Sequence, residues 1–261
     1  MCYNKAIYKK IKLRKLRESR IARTRKFLSS LFFLLLIALS IRSLLFEPFH
    51  IPSGSMKSTL LEGDYIFTSK YSYGYSKHSF PFSPNIFSGR IFYTPPEHGD
   101  IIVFKPTRND SIRFVKRVIG VPGDKVQMIE GELYLNGQKV ERRQIESFFD
   151  YELKRDITRY VETLPSGKEH EILIDNASDN KPPHTTLVYS VPDDQFFVMG
   201  DNRNNSFDSR FPEIGFIPAE NIIGRVNMVG LSFKLSKVDW LPFNFRLPIA
   251  LRFDRVLHKV L

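Results

Sequence analysis

Cysteine is nearly absent from this chain, whose 261 residues contain only Cys2. A single thiol cannot form an intramolecular disulfide, so nothing in the fold depends on an oxidising compartment. Metal sites built from several cysteines are excluded for the same reason. The sequence after residue 47 also lacks repeats and low-complexity tracts. Because 42% of the chain is hydrophobic and 13% aromatic, it can still form a substantial core.

Acidic residues are scarce at the N-terminus, where most of the net positive charge of the chain is found. Residues 1–26 hold eleven Lys or Arg and one acid, Glu18, so this segment carries +10 of the net charge of +11. Residues 27–261 are therefore nearly neutral, at +1. A basic tail on a neutral body argues against a nucleic-acid partner.

An apolar run follows the basic tail directly. Residues 27–46 are interrupted by one charge, Arg42, and have about the ~20 residues that a membrane-spanning helix needs. The positive flank is expected to stay in the cytoplasm, which would export everything after the run. A cleaved signal peptide is the alternative, but no A-x-A site follows. We predict a cytoplasmic segment 1–26, a transmembrane helix 27–46 and an exported domain 47–261.

The exported domain is rich in short β-strand patterns. Runs such as residues 64–71, 100–106 and 113–120 are β-branched or aromatic, and Asn136-Gly137 suits a type I′ hairpin turn. We predict a mainly β fold: an antiparallel sheet body with an inserted smaller β subdomain at about 125–195, preceded by one transmembrane helix. The stretch after residue 238 could lie on a membrane surface or dock onto the core.

Two serines, Ser53 and Ser55, lie in the Pro- and Gly-punctuated segment "FEPFHIPSGSMKSTLLEGD", residues 46–64. A serine nucleophile needs a base. If residues 113–118 form a strand, Lys116 shares an apolar face with Phe114 and Val118, while the neighbouring arginines point away. Burial on that face would give Lys116 the lowered pKa that a lysine base requires. The other candidate bases are Lys57, Lys70 and the six histidines, His50, His78, His98, His170, His184 and His258.

A third stretch, "MGDNRNNSFDSR" at 199–210, is too dense in polar residues for an ordinary core strand. It is either a solvated loop or a hydrogen-bonding network that orients other side chains. It lacks the glycine and glutamate positions of an EF-hand, which argues against Ca²⁺.

The basic anchor is followed by three motifs, and together, in this order, they resemble the type I signal peptidases of bacteria. The motifs are "EPFHIPSGSMKSTLLEGD", "RFVKRVIGVPGDKV" and "MGDNRNNSFDSRFPEIGFIP". That resemblance implies a membrane-bound serine endopeptidase with a Ser/Lys dyad, no metal or cofactor, and a location in the bacterial inner membrane. It implies Ser55 as nucleophile, Lys116 as general base, and the Ser53 side chain with the Ser55 N–H as oxyanion donors. The supporting residues would be Ser206, which orients the lysine, and Asp201, Asn202, Arg203, Asp208 and Arg210.

The resemblance also predicts substrates and partners. Signal peptides of exported preproteins would bind along a groove with shallow pockets for small residues at −1 and −3, and the enzyme would act as a monomer on the phospholipid membrane. The groove residues would be Phe49, Ile51, Pro52, Phe114 and Val115. Two positions depart from the family pattern: Ser58 replaces a frequent proline, and Asn204 a frequent aspartate.

Two other functions remain open from the sequence. One is a membrane-anchored Ser-His-Asp hydrolase, which would depend on a histidine rather than on Lys116. The other is an anchored β-domain that binds peptides or anionic lipids without cleaving anything.

Overall fold

The computed structural model describes residues 2–108, 112–151, 153–177, 182–237 and 246–260, with helix side chains described from Arg20 onward. The chain divides into two compact units, Met1–Ser43 and Leu44–Leu261. Residues 238–245, part of the C-terminal stretch for which a membrane surface or core docking was predicted, lie outside the described residues.

The first unit is a helix. Helix α1 spans Cys2–Leu44, and among the described residues its Arg20–Leu44 portion is the one stretch long and apolar enough to cross a membrane. The predicted span 27–46 runs two residues too far. Phe46 pairs with Ser69 as the first residue of a strand, so its backbone is extended and not helical.

The second unit is mainly β, as predicted. Its strands in chain order are β1 (Phe46–His50), β2 (Asp64–Ser69), β3 (Ile101–Phe104), β4 (Phe114–Gly120), β5 (Lys125–Ile129), β6 (Glu132–Leu135), β7 (Gln138–Lys139), β8 (Glu141–Asp150), β9 (Arg155–Thr163), β10 (Glu169–Ile174), β11 (Tyr189–Ser190), β12 (Gln195–Met199), β13 (Ile217–Pro218), β14 (Ile222–Lys237), β15 (Arg246–Leu251) and β16 (His258–Lys259).

One large sheet holds the body together. Within the described residues it has nine strands in the order β1-β2-β14-β3-β4-β12-β13, and β15 and β16 also pair with β14. The named strand pairings within the sheet are antiparallel. Ile66, Val103 and Val229 are buried between the strands and the segment that follows β1. This core fixes the start of the segment that carries Ser55 against the middle of the sheet.

The strands between β4 and β12 form two smaller antiparallel sheets. In the described part of the chain these are a four-stranded sheet, β11-β5-β6-β7, and a three-stranded sheet, β10-β9-β8. Asn136 and Gly137 both have positive φ, 55° and 79°, as a type I′ turn requires. Val126 and Leu133 of the four-stranded sheet share a core with Phe197 of β12, so the insert packs directly on the main sheet.

Candidate active site

Ser55 lies on a tight turn between β1 and β2. The turn is a short 3₁₀ helix, Gly54–Met56, preceded by Ser53 in an extended conformation. Met56 and Leu60 are buried in the main core, and their packing holds the turn against the sheet. The Ser55 side chain stays partly exposed, as a group that meets a substrate must.

Lys116 reaches this serine from β4. Its Nζ donates a hydrogen bond of 2.5 Å to the Ser55 Oγ, and the residue is only 2% exposed. The Phe114 ring lies 5.6 Å from the same Nζ. The predicted apolar face of β4 is therefore the face that meets the serine.

Burial lowers the pKa of Lys116 to about 8. Asp208 and Asp201 oppose this by favouring the ammonium, while Arg210 favours the neutral amine. About one lysine in ten is then neutral at pH 7, compared with about one in 10³ for a solvated lysine.

The other face of β4 carries a buried arginine. Arg117 is only 2% exposed and makes two hydrogen bonds of 2.9 and 2.8 Å to Asp201. Its NH1 also donates to the Gly99 carbonyl at 2.7 Å. The reason is tertiary, because other segments cover this face of the strand. Arg113, in contrast, is exposed, and its guanidinium lies 5.4 Å from the Phe49 ring.

The polar stretch after β12 supports the nucleophile turn. The Asn202 backbone N–H donates to the Ser55 carbonyl at 3.1 Å, and its Nδ2 donates to the Gly54 carbonyl at 3.0 Å. A Cβ on Gly200 would come within 2.5 Å of the Ser55 carbonyl, so only glycine fits this approach. The stretch is a buried network, and the alternative of a solvated loop is wrong.

Two of the predicted supporting residues form an ion pair in this network. Asp208 is fully buried, receives Arg210 Nε and NH2 at 2.8 and 2.7 Å, and accepts the Gly200 N–H at 2.9 Å. Burial opposes the charge of Asp208, but Arg210 outweighs it and lowers the pKa. Likewise, burial raises the pKa of Asp201, but the charge and hydrogen bonds of Arg117 have the larger effect and keep that pKa below its ordinary value.

Ser206 is buried beside Gly200. No hydrogen bond from its Oγ to Lys116 is found among the described residues, so the contact that the resemblance implies stays a prediction; the hydroxyl instead helps to lower the pKa of the Asp208 carboxyl. The hydroxyl lies on the same side of Gly200 as the Ser55 carbonyl, because both would contact a Cβ placed there.

An apolar cavity of about 240 Å³ opens at the serine and the lysine. All five residues predicted to form the substrate groove line it, together with Ser53, Ser55 and Lys116: Phe49, Ile51, Pro52, Phe114 and Val115. The structure thus places the predicted groove residues next to the side chains of Ser55 and Lys116.

The described histidine contacts do not include Ser55. His50 lines the same cavity, but its ring packs on Tyr65 with centroids 5.0 Å apart. His98 pairs with Asp124 at 2.6 Å, but that carboxylate binds Asn136. His170 contacts Glu162 at 3.3 Å. Among the described side-chain contacts, the partner of the Ser55 Oγ is Lys116. The geometry therefore favours a lysine base over a histidine base.

Residues 24–231 match the family model for signal peptidase, peptidase S26. The chain belongs to the signal peptidase family. Signal peptidase I of Rickettsia canadensis (strain McKiel) is 44% identical over 215 residues, which cover 79% of this chain and 80% of the relative. Signal peptidase I of Rickettsia typhi (strain ATCC VR-144 / Wilmington) is 43% identical over 218 residues and 81% of each chain. The family's activity is the removal of signal peptides by a serine peptidase.

Among solved structures, the chain is similar to a signal peptidase I from Enterococcus faecalis V583. The two are 26% identical, and the match covers 51% of this chain and 97% of that chain with a TM-score of 0.31.

The two departures from the signal peptidase pattern have a common structural role. Ser58 Oγ donates to the Glu171 carbonyl at 2.7 Å, and Asn204 Nδ2 donates to the Asp175 carbonyl at 3.2 Å. Proline has no hydroxyl and an ionised aspartate has no donor, so the usual residues could not make these bonds. Both departures attach the active-site segments to the insert.

The insert also supplies groups that the sequence analysis missed. Arg203 forms a bidentate, fully buried pair with Glu162 of β9, in which NH1 lies 2.7 Å from Oε1 and NH2 contacts Oε2. Burial opposes the charge of Glu162, but Arg203 and His170 outweigh it and lower its pKa. The sequence offers only a slight indication that Glu162 is buried. By period-two alternation it lies on the same face as Leu164, which is buried.

Replacing Glu162 tests how much this attachment stabilises the body. We expect Glu162→Gln to lower the free energy of unfolding by about 3–5 kcal/mol, because it leaves the Arg203 charge buried without its partner. Chemical denaturation of the detergent-solubilised protein measures the change.

Glu132→Gln is the matched control. Glu132 pairs with Arg142 at 2.5 Å, but its side chain is 23% exposed. We expect it to cost about 0–1 kcal/mol. Equal effects of the two substitutions would contradict a special role for the buried pair.

Proposed function

We propose that the chain cleaves signal peptides from exported preproteins by acyl transfer to Ser55, with Lys116 as the general base. The observation that carries this proposal is the 2.5 Å contact between Lys116 Nζ and Ser55 Oγ, made by a lysine whose burial lowers its pKa to about 8. A partly neutral amine at hydrogen-bonding distance from a hydroxyl is what a lysine base requires.

The reaction has two halves. Neutral Lys116 takes the Ser55 proton as Oγ attacks the scissile carbonyl, and the resulting ammonium protonates the leaving amine of the mature protein. In the second half the neutral amine accepts a proton from water, which attacks the acyl carbon. The bond between that carbon and Ser55 Oγ then breaks, Lys116 returns the proton to Oγ, and the signal peptide leaves with a new carboxylate. The same nitrogen therefore serves in turn as base and acid.

The oxyanion would be stabilised by the Ser53 hydroxyl and the Ser55 N–H. Ser53 directly precedes the 3₁₀ turn and lines the same cavity as Ser55 and Lys116. Its exposed hydroxyl is free to rotate toward charge that develops at the cavity mouth. Such donors each contribute about 2.7–4 kcal/mol to the transition state.

The cavity suits a substrate that binds as an added strand. Among the described strands β1 pairs only with β2, so its other edge can accept a peptide. Phe49 and Ile51 from this side and Val115 from β4 face the same space. A volume of about 240 Å³ suits the small side chains that we propose at positions −1 and −3.

Membrane anchoring completes the proposal. We propose that the protein acts as a monomer that spans the inner membrane once, through residues 27–44, the apolar part of the candidate span Arg20–Leu44. The basic segment 1–26 would stay in the cytoplasm and the body would lie outside, following the positive-inside rule.

Cleavage of a model preprotein tests the nucleophile. We expect the purified protein to cut after an A-x-A site, and Ser55→Ala to lose at least about 10³-fold in rate. Gel analysis and N-terminal sequencing of the product locate the cut. Ser147→Ala, at an exposed position of β8, should cleave normally. An intact preprotein in the presence of folded enzyme would favour the anchored binding domain instead.

The pH dependence tests the base. Because only neutral Lys116 is active, kcat/KM should rise about tenfold per pH unit on the acid side and level off above about pH 8. Lys116→Arg should be inactive, whereas Lys125→Arg, at an exposed position, should keep both rate and profile. A flat profile between pH 6 and 9, or turnover by Lys116→Arg, would refute the lysine base.

The oxyanion role of Ser53 gives a further prediction. Ser53→Ala should reduce kcat by about 10²–10³-fold with little change in KM, because the hydroxyl acts mainly in the transition state. Ser53→Thr keeps the hydroxyl and should recover much of the rate. If the two variants have equal rates, Ser53 contributes no oxyanion donor.

A further inference from the structure

Lys57 is a charged residue in the turn that carries Ser55, and the proposed reaction gives it no role. Its backbone N–H closes the 3₁₀ turn by donating to the Gly54 carbonyl at 3.1 Å. Its side chain folds back toward the same turn, because a Cβ placed on Gly54 would lie 3.4 Å from Lys57 Cε. Lys57 therefore meets the turn through both its backbone and its aliphatic stem, two residues after the nucleophile.

The ammonium of Lys57 ends on a buried carboxylate of the insert. Its Nζ donates to Asp150 Oδ2 at 2.6 Å, and the two side chains are 13% and 2% exposed. Asp150 is the last residue of β8 and pairs with Arg155, the first residue of β9. Its other oxygen, Oδ1, accepts the Leu153 N–H at 3.2 Å. One carboxylate thus holds both the tip of the β8–β9 hairpin and the lysine next to the Ser55 turn.

This ion pair is largely removed from solvent, which makes it a firm constraint. Hydrogen bonds between ionised groups are about twice as strong as those between neutral groups. Removing either charge takes that bond from a desolvated partner, which costs far more than breaking an exposed pair. The pair therefore fixes the distance between the end of β8 and the residue that closes the turn.

The constraint is separate from those that the polar loop supplies. Asn202 binds the carbonyls of Gly54 and Ser55, and so holds the turn at its acceptors. The Lys57–Asp150 pair acts on the residue after the turn and comes from another part of the insert. The turn is thus held at both ends by the structure around it.

We propose that the Lys57–Asp150 ion pair is a positioning element that keeps Ser55 in its attacking position. The proposal rests on the proposed function, in which Ser55 is the nucleophile. A displacement of about 1 Å at a reacting group can cost about 10²-fold in rate. The described residues that line the substrate cavity do not include either member of the pair. The pair therefore acts through the backbone of the turn, on the attack by Ser55 rather than on peptide binding.

Steady-state cleavage of a model preprotein by the full-length protein tests the proposal. Lys57→Met keeps an unbranched apolar stem and removes the charge, and Asp150→Asn keeps an acceptor for the hairpin turn. We expect each substitution to lower kcat about tenfold, with KM within about twofold of the parent. The double variant should be no slower than the slower single variant, because both remove the same interaction. Lys57→Arg keeps a cationic donor and should recover most of the rate.

The direction of the Asp150→Asn effect separates positioning from a direct effect of charge. If the Lys57 charge simply stabilised the oxyanion, loss of the neutralising carboxylate would leave kcat unchanged or raise it. Positioning requires a fall in kcat, with the acid limb of the pH profile at the same midpoint because Lys116 is untouched. A rise in kcat, a shifted midpoint or a change confined to KM would overturn the proposal.

Glu97→Gln is the matched control. Glu97 pairs with Lys168 of the insert at 3.0 Å, so this pair also joins the insert to the body, but the Glu97 side chain is 76% exposed. The variant should keep the kcat and KM of the parent. Thermal unfolding is followed in parallel, and rates are compared at a temperature where every variant is folded. Parental kcat in Lys57→Met and Asp150→Asn under those conditions would mean that the pair only stabilises the fold.

Ser55→Ala separates this proposal from the proposed function. If the parent cleaves, Ser55→Ala does not, and both pair variants keep the parental kcat, only the positioning role is rejected. If the folded parent leaves the preprotein intact, the proposed function fails and the positioning role fails with it.

Discussion

The site depends on a buried lysine, Lys116, whose neighbouring carboxylates are each paired with an arginine. Burial lowers the pKa of Lys116 to about 8 while Asp208 and Asp201 act in the opposite direction. Each of these acids is bound bidentately by an arginine, Arg210 or Arg117. Arg210 offsets part of the pull of the acids on the ammonium, and burial outweighs the rest. The network around the dyad therefore places two carboxylates near a lysine and still leaves it able to lose its proton.

This charge arrangement links the insert to the chemistry. Asp201 and Arg203 are joined to β10 by backbone hydrogen bonds through Leu173, each of 2.8 Å, and Arg203 is fixed by Glu162 of β9. The same loop holds the Ser55 carbonyl through Asn202. A change in the packing of β9 or β10 would move the turn that carries Ser55 without touching Ser55 or Lys116. The insert thus supports the polar loop that holds this turn.

Local sequence patterns predicted part of this arrangement. Period-two alternation was enough to place Lys116 on the apolar face of β4, and Asn136-Gly137 was enough to predict the hairpin turn. Alternation also placed Arg117 on the opposite face, but it could not show that residues distant in sequence bury that face. Glu162 was missed because its partner is 41 positions away, and no local pattern encodes which strand of an insert will pack under which loop.

A short segment that is fixed to the sheet joins the candidate membrane span to Ser55. Eleven positions separate Leu44 from Ser55, which limits the span to about 40 Å even for a fully extended chain. Within it, the buried pair between Glu47 and Lys70, at 2.7 Å, ties β1 to the end of β2, and the Lys70 N–H binds the Leu45 carbonyl at 3.0 Å. These bonds fix the start of β1 to the end of β2, so the chain between Leu45 and Ser55 has little freedom relative to the sheet. The covalent reach from the end of the candidate membrane span to Ser55 is therefore short, and the proposed cleavage of membrane-anchored preproteins has to take place within that reach.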